Sequence, residues 1–139
     1  MNILVIDAQG GGIGRQLVAK LLERIPEADI VAAGTNSMAT NAMIKAGAKK
    51  AATGESAIRY CASQAEIITG PIGILVANAM LGEISPAIAE SVGSSTAPKV
   101  LIPTAHCNTI IAGTKALPVK DSIEDAVDRI VRIHGGEDN

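Results

Sequence analysis

The chain has 139 residues, a formal net charge of −2 and, apart from one tyrosine, none of the large aromatic residues. This length suits one domain with a single core, which we place at residues 1–134, followed by a frayed tail at 135–139. The acidic balance and the lack of stacking rings argue against a nucleic-acid partner. No apolar stretch is long enough to span a membrane and no signal segment precedes the first strand, so we expect a cytoplasmic protein without a membrane partner.

Predicted strands and helices alternate along the chain. Short apolar runs predict strands at 2–7, 29–33, 49–52, 66–69 and 100–102, with a sixth at 109–112. Helical spacing predicts a helix at 13–25, one capped by Ser37 and ended by Gly47, a short one around Ile58, an apolar one at 74–81, one opened by Ser85-Pro86, and a last one capped by Ser122.

This alternation predicts an α/β fold of three layers, with a doubly wound, mainly parallel sheet of five or six strands, as in Rossmann-like proteins. We expect the first strand at the centre of the sheet. The second and third strands would lie on one side of it, and the fourth and fifth on the other.

A glycine-rich turn, Asp7-Ala8-Gln9-Gly10-Gly11-Gly12-Ile13-Gly14-Arg15, joins the first strand to the first helix. Residues without Cβ let the backbone turn sharply and approach a ligand closely, and the unpaired N–H groups of a helix start favour a phosphate or carboxylate. We therefore predict a site for a small anionic ligand at this turn. The alternative is a structural turn that only lets the helix pack on the sheet.

The type of ligand follows less directly from the sequence. The dinucleotide spacing G-x-G-x-x-G fails, because Arg15 stands where a glycine is required. No acid for ribose hydroxyls stands at the end of the second strand, which continues as Gly34-Thr35-Asn36-Ser37. Short polar groups there fit a phosphate, so we expect NADP, another phosphorylated nucleotide or a phosphorylated metabolite.

The turn also resembles two known phosphate-binding loops. Gly12-Ile13-Gly14 is similar to the end of the short-chain dehydrogenase turn, but Gln64 stands where the lysine of that family's Tyr-x-x-x-Lys pair would follow Tyr60. The stretch resembles the deviant Walker A loop of partition-type ATPases as well. Arg15 and Gln16 replace the lysine and the magnesium-binding hydroxyl of that loop, which argues against an active NTPase.

Two further loops are expected at the same edge of the sheet, because ligands bind beyond the carboxyl ends of parallel strands. They are Gly70-Pro71-Ile72-Gly73 after the fourth strand and Thr104-Ala105-His106-Cys107-Asn108 after the fifth. The complete set of candidate cofactor-binding residues is Gln9, Gly10, Gly11, Gly12, Ile13, Gly14, Arg15, Thr35, Asn36, Ser37, Gly70, Pro71, Ile72, Gly73, Thr104, Cys107 and Asn108.

The two cysteines, Cys61 and Cys107, lack the spacing of a zinc site or a redox motif, so we expect two unpaired, reduced thiols and no metal. Cys107 beside His106 could supply a nucleophile and a base, as in a small oxidoreductase or transferase. Because sequence neighbours usually point apart, a polar loop that caps the strand or binds ligand is the favoured interpretation. We assign no catalytic residue.

A third function class is a regulatory or scaffold subunit without catalysis. The apolar residues between 67 and 81 are more than a small domain usually hides, so residues 74–88 are candidates for a homodimer interface. Burial beneath the helices of the same chain is the equal alternative.

Five stretches of the sequence, at 7–16, 34–37, 70–73, 81–86 and 102–108, resemble a family of short bacterial proteins of unknown function. The resemblance extends over nearly the whole chain. It implies a bacterial protein with a Rossmann-like fold and supplies no activity.

Overall fold

The computed structural model of the protein describes residues 2–104 and 108–137. Its helices and strands are, in chain order, β1 (Asn2–Asp7), α1 (Gly12–Arg24), β2 (Asp29–Gly34), α2 (Ser37–Lys45), β3 (Lys50–Thr53), α3 (Glu55–Gln64), β4 (Ile67–Pro71), a short 3-10 helix (Ile72–Leu75), α4 (Pro86–Ser94), β5 (Lys99–Ile102) and α5 (Val119–His134).

The five strands form one parallel sheet in the order β3-β2-β1-β4-β5. The predicted fold class and strand order are therefore confirmed. Because the chain moves outward from β1 first towards β3 and then from β4 towards β5, the order reverses between β1 and β4. Ligands of doubly wound sheets bind near such a reversal, beyond the carboxyl ends of the strands.

Side chains of β1 alternate between two apolar layers. Ile3 and Val5 belong to a cluster with residues of α1 and α5, whereas Leu4 and Ile6 belong to a cluster with residues of α3 and α4. Both faces of the strand are buried, which explains why it is a continuous apolar run in the sequence. None of the helices formed by the described residues is long and apolar enough to cross a membrane.

Two helix starts test the capping predictions. Ser85 caps α4 as expected: its hydroxyl accepts a hydrogen bond of 3.2 Å from the Ile88 N–H, and Pro86 is the first helical residue. The cap of α2 is Asn36 rather than Ser37, because Asn36 has the extended backbone of a cap and its side chain accepts from the Ala39 N–H at 2.9 Å.

The predicted helix at 74–81 is wrong. The 3-10 helix ends at Leu75, and Asn78, Met80 and Leu81 have φ angles of +67°, +57° and +58°, which a right-handed helix cannot contain. Ile74, Ile84 and Ile88 of the same region are buried in the cluster with α3 and α4, whereas Leu81 is fully exposed and Leu75 is 37% exposed. The homodimer interface stays a prediction.

Two predictions near the C-terminus also need correction. No strand forms at 109–112, where Ile110 is 95% exposed and the backbone has no neighbouring strand to pair with. The last helix begins at Val119 after Pro118 rather than at Ser122, since proline suits the position before the first turn. It ends at His134, and the last two residues of the expected tail, 138 and 139, lie outside the described part of the chain.

Two buried threonines give opposite expectations for the same substitution. Thr69 in β4 is fully buried, and its hydroxyl has no hydrogen-bond partner among the described residues. Thr69→Val removes this unsatisfied group, so we expect the free energy of unfolding to rise by about 1–2 kcal/mol in urea denaturation. The control is Thr40→Val: the Thr40 hydroxyl lies 2.7 Å from the Thr53 hydroxyl oxygen, so its loss should lower that free energy. A destabilised Thr69→Val protein would contradict the expectation.

Candidate functional site

The buried carboxyl group of Asp7 accepts two backbone hydrogen bonds from the glycine-rich turn. Its Oδ1 accepts a hydrogen bond of 2.8 Å from the Ala8 N–H, and its Oδ2 accepts one of 2.7 Å from the Gly14 N–H. Burial raises the pKa of Asp7 above its usual 3.8 and the nearby Glu83 charge adds to this, although the bonds from Gly14 and Ala8 oppose them. The Gly14 amide, predicted to face a ligand, therefore serves an internal carboxyl group.

Packing explains two glycines of the turn. Gly11 has a φ of +74°, and a Cβ there would lie 2.9 Å from the Ala39 Cα at the start of α2. A Cβ on Gly14 would lie 2.7 Å from the Met43 sulfur. At these two positions, close contact with α2 is a sufficient reason for glycine.

Packing does not explain Gly10 and Gly12. A Cβ at either position would meet nothing within 4 Å, and neither backbone requires a positive φ. Among the described residues, the N–H groups of Gly10 and Gly12 also have no hydrogen-bond acceptor. These two residues thus present bare backbone and unused donors to solvent, which is the arrangement that a closely approaching anion needs.

A cleft of about 510 Å³ lies beside this part of the turn. Its lining residues are Gly10, Arg15, Ser37, Met38, Asn41, Ala42 and Lys45. Gly10, Arg15 and Ser37 are predicted from the sequence, whereas the other four residues, all on α2, are not. Their spacing could have revealed them, because positions 38, 41, 42 and 45 share one face of a helix.

Two cations of the cleft lack an acidic partner. Lys20, Arg24 and Lys50 each lie within 4.0 Å of a carboxylate on another element. Arg15 and Lys45 have no such partner within the described part of the chain. The cleft therefore combines two unpaired positive charges with the free amide of Gly10.

Glu83, from the loop before α4, contacts the glycine-rich turn at Gln9. Its Oε1 accepts hydrogen bonds from the Gln9 N–H at 2.9 Å, the Thr35 hydroxyl at 2.7 Å and the Asn36 side-chain amide at 2.9 Å. Burial raises the pKa of Glu83, but these three bonds together outweigh it and hold the pKa below the usual 4.5. Thr35 and Asn36 were predicted as phosphate donors, and here they bind this carboxylate instead.

The loop after β4 does not line the cleft. A Cβ on Gly70 would lie 2.2 Å from the Ile6 carbonyl oxygen, so this glycine is required by contact with β1. Pro71 and Gly73 are buried. Ile72 instead faces a second, larger cavity.

This larger cavity, of about 990 Å³, lies between β5, α5 and the segment at 109–119. Of the predicted residues it is lined by Ile13, Ile72 and Thr104. Its other walls are mainly apolar, and the acid and arginine of α5 that border it, Asp125 and Arg129, pair with each other. Its size exceeds that of the cleft and Lys99 and Lys115 also line it, but neither of the open glycines of the turn, Gly10 and Gly12, does.

The structure gives no functional role to the remaining residues that the sequence suggests. His106 and Cys107 lie outside the described residues, and Asn108 is exposed. Cys61 is a free thiol at the edge of the cluster with α3 and α4, half-buried rather than in the core.

The model of one protein family matches residues 2–135. The chain belongs to the family described as domain of unknown function (DUF3842). This agrees with the resemblance to a family of unknown function, whereas nothing in these comparisons supports a link to short-chain dehydrogenases. No curated protein matches significantly.

Ten chains of solved structures resemble this DUF3842 protein. One is a dodecameric FMN-dependent UbiX-like decarboxylase from Escherichia coli O157:H7, with a TM-score of 0.52, 16% identity, and coverage of 100% of this chain and 96% of that one. Another is AibC, with a TM-score of 0.46 and 15% identity, of which this chain spans 42%. At this identity, the likeness to the decarboxylase shows a shared fold.

The glycines of the turn should differ in their tolerance of a methyl group. Gly12→Ala places its Cβ in open space and restricts the unfolded chain, so we expect a gain of about 0.4–1 kcal/mol in the free energy of unfolding. Gly14→Ala forces a contact with Met43 and Asp7, and a loss of about 1–3 kcal/mol should follow. Urea denaturation measures both. Equal effects of the two substitutions would refute the division of the turn into packed and open glycines.

The stability of the protein should depend on pH through Asp7. Its pKa is raised above 3.8, so the folded chain holds this proton more tightly than the unfolded chain does. Its contribution to the free energy of unfolding is then fully present below pH 3.8, falls as the pH rises to the raised pKa, and is constant above it.

Asp7→Asn removes this titration. Urea denaturation gives the free energy of unfolding of the unmodified protein and of Asp7→Asn at each pH. We expect the first value minus the second to decrease as the pH rises across this window. The opposing contribution of Glu83 is present in both proteins and largely cancels. A difference that increases with pH would mean that the two hydrogen bonds outweigh burial.

Proposed function

We propose that the cleft beside the glycine-rich turn binds a phosphorylated small molecule of the nucleotide class. The observation that carries this proposal is the coincidence of Arg15, Lys45 and the bare backbone of Gly10 in one cleft. The sequence supplies glycines at positions 10 and 12 where the fold has room for a side chain. A ligand that needs that room accounts for them.

The charges of the cleft favour a dianionic group. An arginine guanidinium can bind two phosphate oxygens at once, and a lysine ammonium adds a mobile point charge. Arg15 lies on the first turn of α1 and Lys45 at the end of α2, so they approach the cleft from two rigid elements. A volume of about 510 Å³ is within the usual range for small-ligand sites.

The ligands to test include NADP, which the sequence favours, and FMN. The latter is named as the cofactor of the decarboxylase that shares the fold. FMN carries a flat apolar ring besides its phosphate. The proposal concerns binding and assigns no catalytic step.

The test is a thermal-shift panel of NAD, NADP, FMN, ADP and inorganic phosphate near millimolar concentration, followed by calorimetry for each hit. A ligand at a hundred times its Kd stabilises the folded state by about 2.7 kcal/mol, which is a readily measured shift. Arg15→Ala and Lys45→Ala should each raise the Kd at least about tenfold, because each removes a charge-assisted contact to phosphate.

The matched control is Arg59→Ala. Arg59 is an exposed arginine on α3, on the other face of the sheet, so its removal changes the net charge equally without touching the cleft. We expect its Kd to stay within about twofold of the unmodified protein. No shift with any ligand of the panel, or equal losses in Arg15→Ala and Arg59→Ala, would contradict the proposal.

A further inference from the structure

One oxygen of the Glu83 carboxylate is fully engaged and the other is free. Oε1 accepts from Gln9, Thr35 and Asn36, which is already three donors for one atom. Oε2 has no hydrogen-bond donor within residues 2–104 and 108–137. The carboxylate is thus held in position while one acceptor remains available.

The loop that carries Glu83 is built to hold it there. Met80 and Leu81 adopt a left-handed backbone that costs such residues about 1–2 kcal/mol each. The turn is closed by hydrogen bonds from the Asn78 N–H to the Ile84 carbonyl at 2.7 Å and from the Glu83 N–H to the Met80 carbonyl at 3.2 Å. The buried side chain of Ile84 anchors it to the core. A ligand therefore meets a carboxylate whose orientation is already fixed.

Glu83 adjoins the proposed phosphate cleft. The residues that hold its carboxylate are Gln9 and Asn36, and the next residue after each, Gly10 and Ser37, lines the cleft. Glu83 itself does not line the cleft, so a ligand with its phosphate between Arg15 and Lys45 would reach this carboxylate past Gly10 and Ser37. The two ends of the site have opposite charge.

An ionised carboxylate accepts hydrogen bonds and donates none, so its free oxygen selects a donor such as a hydroxyl and repels a phosphate. In many dinucleotide sites an acid at the end of β2 binds the ribose hydroxyls in this way. The end of β2 here carries Thr35 and Asn36, and they hold an acid that comes from the loop after β4. The acidic residue that the 34–37 stretch lacks is therefore supplied by Glu83, which is distant in the sequence but hydrogen-bonded to this stretch in the structure.

We infer that Glu83 binds the sugar hydroxyls of the ligand whose phosphate occupies the cleft, so that the ligand is a sugar phosphate or a nucleotide with free ribose hydroxyls. This inference rests on the proposed function of the cleft. Glu83 then determines which phosphorylated compounds bind, while Arg15 and Lys45 supply affinity for the phosphate that all of them share.

The test compares ribose 5-phosphate with inorganic phosphate by calorimetry. The measured quantity is the ratio of the Kd of phosphate to the Kd of ribose 5-phosphate. In the unmodified protein we expect a ratio of about ten or more, since a hydroxyl bound to a charged acceptor strengthens binding by that order. Glu83→Gln keeps the shape and the engaged oxygen but presents an amide to the hydroxyls, so the ratio should fall at least about fivefold.

Two further variants isolate the role of the carboxylate. Glu90→Gln, an exposed position on α4 outside the cleft, is the matched control and should keep the ratio. Thr35→Val removes one of the donors that orient Glu83 but keeps its charge, so a smaller fall in the ratio is expected. Circular dichroism verifies that each variant is folded.

The outcomes separate this inference from the proposed function. If Glu83→Gln keeps the ratio while both ligands bind, the hydroxyl assignment is overturned and the phosphate cleft stands. If Glu83→Gln strengthens both ligands equally, Glu83 only repels anions and the assignment is again overturned. Failure of both ligands to bind the unmodified protein overturns the cleft and this inference together.

Discussion

The buried carboxyl group of Asp7 sets the geometry on which the site depends. By accepting hydrogen bonds from Ala8 and Gly14, it fixes the first turn of α1 against the end of β1. A carboxylate near a helix N-terminus compensates the positive end of the helix dipole. The Gly14 amide is thus used inside the protein and is not offered to a ligand. The proposed anion site relies instead on the amides of Gly10 and Gly12 and the side chains of Arg15 and Lys45.

The resulting site is electrically divided. Arg15 and Lys45 line the cleft, whereas Glu83 is held outside it by Gln9, Thr35 and Asn36. In the proposed binding mode, the phosphate of the ligand lies near Arg15 and Lys45 and its hydroxyls lie near Glu83.

The hydrophobic periodicity of the sequence predicts the structural features that depend on neighbouring residues. Each buried parallel strand is a continuous apolar run, and Ser85-Pro86 marks a helix start, so the sheet and its strand order could be predicted. Glu83 could not, because it is 74 residues from Gln9 and meets it only after the sheet has formed. No glycine occupies the positions of Met80 and Leu81, where the backbone is left-handed, so the apolar run predicts a helix there. Residues 109–112 have side chains that suit a strand but no partner strand beside them, and the sequence of this segment does not show that a partner is missing.

The bonds of Glu83 also affect how this fold can be engineered. A single carboxylate oxygen joins the loops that follow β1, β2 and β4. Replacing one of these loops with a sequence from another protein would leave donors or an acceptor in the other two without their partner. The three loops therefore form one exchangeable unit, and new specificities are best sought by varying all of them together in a library.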